Sequence, residues 1–147
     1  MPQLSLLDLP ATQGATVGLA GVMPAVRAAM ARVAGEYPEG RKVLVDAINE
    51  VARLENIALT SGGGKSITKD QLDKWLQSGA SSHAPTMDAI LCFCQATQNY
   101  TPLEHLWKPF RLVLIPAEDM PFLAYGKTCD ALKKAKEQKR KLEAKLS

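Results

Sequence analysis

Residues Ser66-Ile67-Thr68-Lys69-Asp70-Gln71-Leu72-Asp73-Lys74-Trp75-Leu76-Gln77 constrain the fold more than any other stretch. They mark where a helix begins and which side of it is buried. Thr68 suits an N-cap, with Gln71 three residues on as the reciprocal half of a capping box. Ser66 is a competing cap. Ile67, Leu72, Trp75 and Leu76 recur at the spacing of a buried stripe, which leaves Lys69, Gln71, Lys74 and Gln77 outside. A helix anchored by Trp and Leu that presents Lys, Gln and Thr meets the needs of a DNA recognition helix. An ordinary surface helix has the same pattern, so the neighbouring segments have to decide.

The flanking segments are helical. Val26, Met30 and Val33 predict a first helix from Pro24 to Ala34, with Pro24 at its first position and Gly35 at its end. Leu44, Ala47, Ile48, Val51 and Leu54 predict a second, from Arg41 to Asn56. A loop over 57–67 separates it from the third, and Gly79 ends that one. Thr86 caps a fourth helix with Ala89, Ile90, Phe93, Cys94 and Thr97 turned inward. Pro102 opens a short fifth, through Leu103, Leu106 and Trp107, which Pro109 stops. Arg111-Leu112-Val113-Leu114-Ile115 is a β-type run that could form a small strand against its copy in a dimer. Pro121 starts a long terminal helix in which Tyr125, Leu132, Ala135, Leu142 and Leu146 follow an a/d-like register with Lys139 in the seam. The expected organisation is a flexible arm over 1–22, a helical body over 23–110, and a tail over 111–147 that could serve dimerisation.

Of the 147 residues 46% are hydrophobic and 22% charged, a globular balance with enough aliphatic side chains for one core. No apolar run approaches the roughly 20 residues of a membrane span. Three cysteines read as reduced thiols in a cytoplasmic protein. The net charge of +3 is unevenly spread. Residues 127–147 hold eight Lys/Arg and three Asp/Glu, whereas residues 1–126 hold ten and twelve. The basic tail suits a polyanion; the body has no such bias.

Patterns that would carry catalysis do not assemble. Gly62-Gly63-Gly64-Lys65-Ser66 lacks the Gly of a phosphate-binding loop five positions before Gly64, where Leu59 stands, and a helix precedes it instead of a strand. Cys92 and Cys94 point about 200° apart on a helix and cannot share one ion. Neither His83 nor His105 has partners at ligand spacing. No metal, cofactor or enzymatic activity is expected.

The order of helices is that of a five-helix lambda-repressor-like helix-turn-helix domain followed by a C-terminal helix, an all-α fold. Its one departure is a link of about ten residues between the second and third helices, where three or four are usual. Ile67 to Trp75, then Ser82-His83-Ala84-Pro85, Ile90 to Thr97 and Pro102-Leu103 resemble the small regulators of Mu-like transposable phages and prophages. The likeness covers about residues 24–147 and is strongest over 66–106. It implies a phage-derived, sequence-specific regulator of transcription that binds double-stranded DNA.

On that reading Thr68, Lys69, Gln71 and Lys74 contact DNA, with Lys65 and Ser66 on phosphates at the helix entrance. A homodimer is expected. The competing reading is a non-enzymatic adaptor in phage replication or transposition. In the arm, Gln3-Leu4-Ser5-Leu6-Leu7-Asp8-Leu9 resembles the short peptide by which bacterial replication proteins bind the sliding clamp. Gln3, Leu4, Leu6 and Leu7 would then meet a protein partner. The alternative is that the arm folds back onto the body, pairs with a neighbouring chain, or stays disordered.

Overall fold

The computed structural model of the chain describes residues 18–77 and 83–147. They form six α-helices and short 3-10 turns, with no strand among the described residues. The helices are α1 (Val22–Glu36), α2 (Gly40–Glu55), α3 (Lys69–Leu76), α4 (Met87–Thr97), α5 (Thr101–Trp107) and α6 (Met120–Leu146). None is long and apolar enough to cross a membrane. The chain divides into two units, one running to Val113 and the other from Leu114 to Ser147.

Helix α1 begins two residues earlier than Pro24 suggested, after a 3-10 turn at Leu19–Gly21. Pro24 thus takes the third position, where a backbone N–H has no partner within the helix in any case. Gly35 lies inside α1; the extended backbone of Tyr37 ends it. Asn56 closes α2 in the left-handed conformation, its N–H donating to Ala52 and Arg53 carbonyls.

The buried row of α2 is Leu44, Val45, Ile48 and Ala52, while Leu54 is exposed. The stripe therefore follows a four-residue step from Leu44 through Ile48 to Ala52, and Leu54 falls off its edge. Helix α4 opens as expected, with the Thr86 hydroxyl accepting from the Ala89 N–H at 3.1 Å. It buries Ala89, Ile90, Phe93 and Cys94, and also Cys92.

Packing of α1 on α5 and of α2 on α4 creates one core. Val26, Met30, Leu44, Ile48, Leu59, Leu72, Ile90 and Phe93 are almost fully buried in it. Helix α3 contributes Leu72, Trp75 and Leu76, joined by Ile67 from the preceding loop. Pro102 is buried at the start of α5, and Leu103 and Leu106 lie half-buried against the core. One 3-10 turn, Lys108–Phe110, follows α5 and ends at Arg111 in the left-handed region.

The run Arg111–Ile115 is not a strand; Leu112 to Ile115 are exposed and unpaired to any ladder. A lone apolar run has no second strand here with which to form one. In the second unit, a 3-10 turn at Ala117–Asp119 leads into α6, with Pro121 in its first turn.

Burial sets the behaviour of the thiols. Removal from solvent pushes Cys94 up to about 11, and raises Cys92, where Asp88 and Glu55 add to the effect. Cys129 is exposed on α6. The native protein is therefore expected to release one equivalent of colour with a thiol reagent at pH 8, and three after denaturation. Equal reaction of all three in the native state would contradict the buried positions of Cys92 and Cys94.

Candidate nucleic-acid interface

The short helix α3 has too few residues to be stable by itself, so its position depends on what holds it. Its first turn is closed by the capping box that the sequence predicts. The Thr68 hydroxyl accepts from the Gln71 N–H at 3.3 Å, and the Gln71 side chain accepts from the Thr68 N–H at 2.8 Å.

Two long-range devices then fix α3 to the body. The Asn49 amide on α2 clamps Ile67, donating to its carbonyl at 3.0 Å and accepting from its N–H at 2.8 Å. At the other end the Arg27 side chain on α1, only 3% exposed, reaches the last carbonyls of α3. Its Nε donates to the Trp75 carbonyl and its Nη2 to the Lys74 carbonyl, both at 2.7 Å. A longer contact of 3.5 Å joins Nη2 to the His83 carbonyl. A cation at a helix C-terminus satisfies orphan carbonyls and opposes the negative end of the helix dipole.

The loop before α3 is ordered by its own hydrogen bonds. The Leu59 N–H donates to the Gly64 carbonyl at 2.7 Å, and the Gly64 N–H to the Thr60 hydroxyl at 2.8 Å. Leu59 is fully buried and pins the loop to the core. Gly63 has φ +84°, and a Cβ on Gly64 would lie 2.6 Å from the Thr60 hydroxyl oxygen.

The expected DNA-contacting residues separate into four groups. Thr68 and Gln71 are exposed but committed to the cap, which leaves the Gln71 amide nitrogen as a donor to solvent. Lys69 forms an ion pair with Asp73 at 3.3 Å, and Asp73 also takes a hydrogen bond from Arg41 of α2. Lys74 points into a groove of about 250 Å³ between α3 and the loop, shared with Gln71, Thr60, Ser61 and His83.

Lys65 and Ser66 lie elsewhere, in a hollow with Asp46, Asn49, Glu50 and Arg53 of α2. The structure therefore brings Gln71 and Lys74 together and sets Lys65 and Ser66 apart, beside two carboxylates. Asp70 is exposed and falls between Lys74 and Lys69 around the helix, near the middle of the outward face. Gln3, Leu4, Leu6 and Leu7 lie outside the described residues. So do Ser82 and Gly79, which was expected to end α3; the helix stops at Leu76. Among the described residues no cluster of three His, Cys, Asp or Glu side chains is placed to hold a metal.

Three residues that organise this face were not among the sequence candidates: Arg27, Asn49 and Arg41. Arg27 carried a usable signal, since it falls within the stripe Met23, Val26, Met30, Val33 and Ala34. A charge in a core register needs partners there. Asn49 likewise sits between Val45, Ile48 and Ala52.

Two stability predictions follow from these contacts. Arg27→Met fills the same space but leaves the Lys74 and Trp75 carbonyls without their buried donor. It is expected to cost about 2–4 kcal/mol in urea unfolding; an unchanged midpoint would show that Arg27 does not hold α3.

Burial raises the Asp73 carboxyl, but the hydrogen bonds from Arg41 and Lys69 outweigh it, so its pKa lies below the ordinary value. A depressed carboxylate pKa adds stability that is complete above the unfolded value of about 4 and disappears as pH falls through the folded one. Asp73→Asn should thus reduce stability at pH 7 by roughly 1 kcal/mol or less for so exposed a pair, read as a lower melting temperature. The gap from wild type should close as pH falls through the lowered pKa of Asp73. The chain has no significant match among family models, curated proteins or solved structures.

Proposed function

We propose that this chain is a sequence-specific DNA-binding regulator of transcription of phage or prophage origin. It acts as a cytoplasmic homodimer on double-stranded DNA, without enzymatic activity or cofactor. The observation that carries the reading is the double anchoring of α3. Arg27 and Asn49 hold a short polar helix at both ends while Lys69, Gln71, Lys74 and Gln77 stay exposed. A reading element fixed before its ligand arrives loses little further conformational entropy on binding.

A lambda-repressor-like arrangement makes α2 and α3 the helix-turn-helix pair. Residues 56–68 join them, a longer link than the usual tight turn. In this reading the Asn49 clamp substitutes for the short turn by tying the end of that link to α2. Lys74 and the Gln71 amide are the candidate base or phosphate contacts in the groove, and Lys69 is a weaker one because Asp73 competes for it. The Lys-rich second half of α6 adds sequence-independent attraction to the phosphate backbone.

A second reading is supported by the acidic groups. Asp70 on the outward face, and Asp46 and Glu50 beside Lys65, repel a polyanion and suit a basic protein surface. That favours an adaptor in phage replication or transposition.

Band-shift titrations at low salt separate the two. For a DNA-binding protein, Lys74→Ala weakens retention of duplex DNA several-fold and lowers the magnitude of the salt slope by about one. Lys69→Ala has a smaller effect, and Asp70→Asn tightens binding. Melting temperatures of all three stay close to wild type. Absence of any retention of duplex DNA by the wild-type protein at low salt would end the DNA reading.

A further inference from the structure

Helix α6 is 27 residues long and buries none of them. Phe122, Tyr125, Leu132, Leu142 and Leu146 are exposed by 75%, 72%, 56%, 53% and 88%. Gly126 and Thr128 weaken its intrinsic helix preference, and an unsupported helix of this composition is marginal in water. A stripe of this kind is normally covered.

We infer that α6 pairs with α6 of a second copy of this chain in an antiparallel two-helix arrangement centred between Leu132 and Ala135. The available surface is sufficient. At 150–250 Å² per fully exposed large side chain, the five residues, with Phe122 at the flank of the seam, offer on the order of 600 Å² of mostly apolar area. A stable homodimer buries about 800 Å² per partner, roughly two-thirds of it apolar.

Charge selects the orientation. From Ala117 to Asp130 there are three carboxylates and one Lys; from Ala131 to Ser147 there are seven Lys/Arg and two carboxylates. A parallel pair would lay the two strongly basic halves side by side. An antiparallel pair lays each basic half along the partner's neutral first half, in which Lys127 and Asp130 balance, with Glu118 and Asp119 just past the partner's C-terminal end, and the helix dipoles also oppose.

The seam gives the same answer. Tyr125, Leu132, Lys139 and Leu146 occupy one heptad position, and Thr128, Ala135 and Leu142 the other. Parallel and in register, Lys139 meets the partner's Lys139, two like charges within the apolar seam. Antiparallel, each position meets its opposite. Tyr125 packs on the partner's Leu142 and Leu132 on the partner's Ala135. Lys139 then meets the partner's Thr128, a neutral side chain, in place of a second Lys139. Ala135 permits close approach near the centre.

This pairing rests on the chain being a dimer and is independent of whether the body binds DNA. Light scattering of the full chain tests the dimer: twice the monomer mass is expected, and Leu132→Lys should give the monomer with the thermal transition of the body unchanged. A spin-label distance tests the orientation. With Ser147→Cys in a Cys129→Ala background, labels on the two copies should lie about 40 Å apart, since 27 residues of helical rise at 1.5 Å separate them along the pair. A parallel pair would bring them within about 20 Å. A monomeric wild type, a dimer that survives Leu132→Lys, or a short label distance would each overturn the proposal. DNA retention is measured separately on the same samples, so loss of that activity does not bear on the pairing.

Discussion

The contact on which the exposed face depends is the one between the Arg27 guanidinium and the last carbonyls of α3. A buried cation is costly to desolvate, and it persists here because it has two short hydrogen bonds to carbonyls that carry the negative end of a helix dipole. The same contact is what an eight-residue helix requires. Without a donor at its end, α3 would leave unpaired carbonyls against the core beside Trp75 and Leu76. Hydrophobic burial gives α3 a side, and Arg27 with Asn49 gives it an orientation, which burial alone does not specify.

This arrangement decides how the charges on α3 are to be read. Asp73 holds two cations at once, Arg41 from α2 and Lys69 from its own helix. Those three groups form a brace between helices, so Lys69 and Asp73 are largely structural in role. Thr68 and half of Gln71 are likewise taken up by the cap. What is left to meet a ligand is narrower than the letters suggest: Lys74, the Gln71 amide, Gln77 and Asp70. On the proposed reading, a face with so few available donors would rely on geometry and a small number of contacts, and the bulk of any attraction to a polyanion would come from the tail.

The helices were legible in the sequence because each is short, periodic and punctuated. The Thr68 and Thr86 caps, Pro102 and Pro121 all mark helix starts, and the stripes in α1 and α4 point inward as their spacing implies. The buried row of α2 was misjudged at Leu54, since both a three- and a four-residue step fit the letters and only packing against α4 chooses between them. The strand that Arg111–Ile115 could form against its copy in a dimer is absent from the single chain for a different reason. Its composition is β-like, but strand formation needs a second edge, which no composition supplies. The partners of the anchoring Arg27 and Asn49 cannot be read from local spacing. The meaning of these two side chains lies in contacts to residues 48 and 18 positions away.

Three identical letters in the loop before α3 behave as three different positions. Gly62 has open space around its α-carbon. Gly63 has a backbone angle that Asn tolerates and branched residues do not. Gly64 faces a hydroxyl already held by a hydrogen bond to its own N–H, so no side chain has room. Over generations of drift this segment should lose its resemblance to a nucleotide-binding loop from the front backwards, free at the first letter, restricted at the second and frozen at the third. The run of glycines then records the folding of a turn and carries no memory of a phosphate.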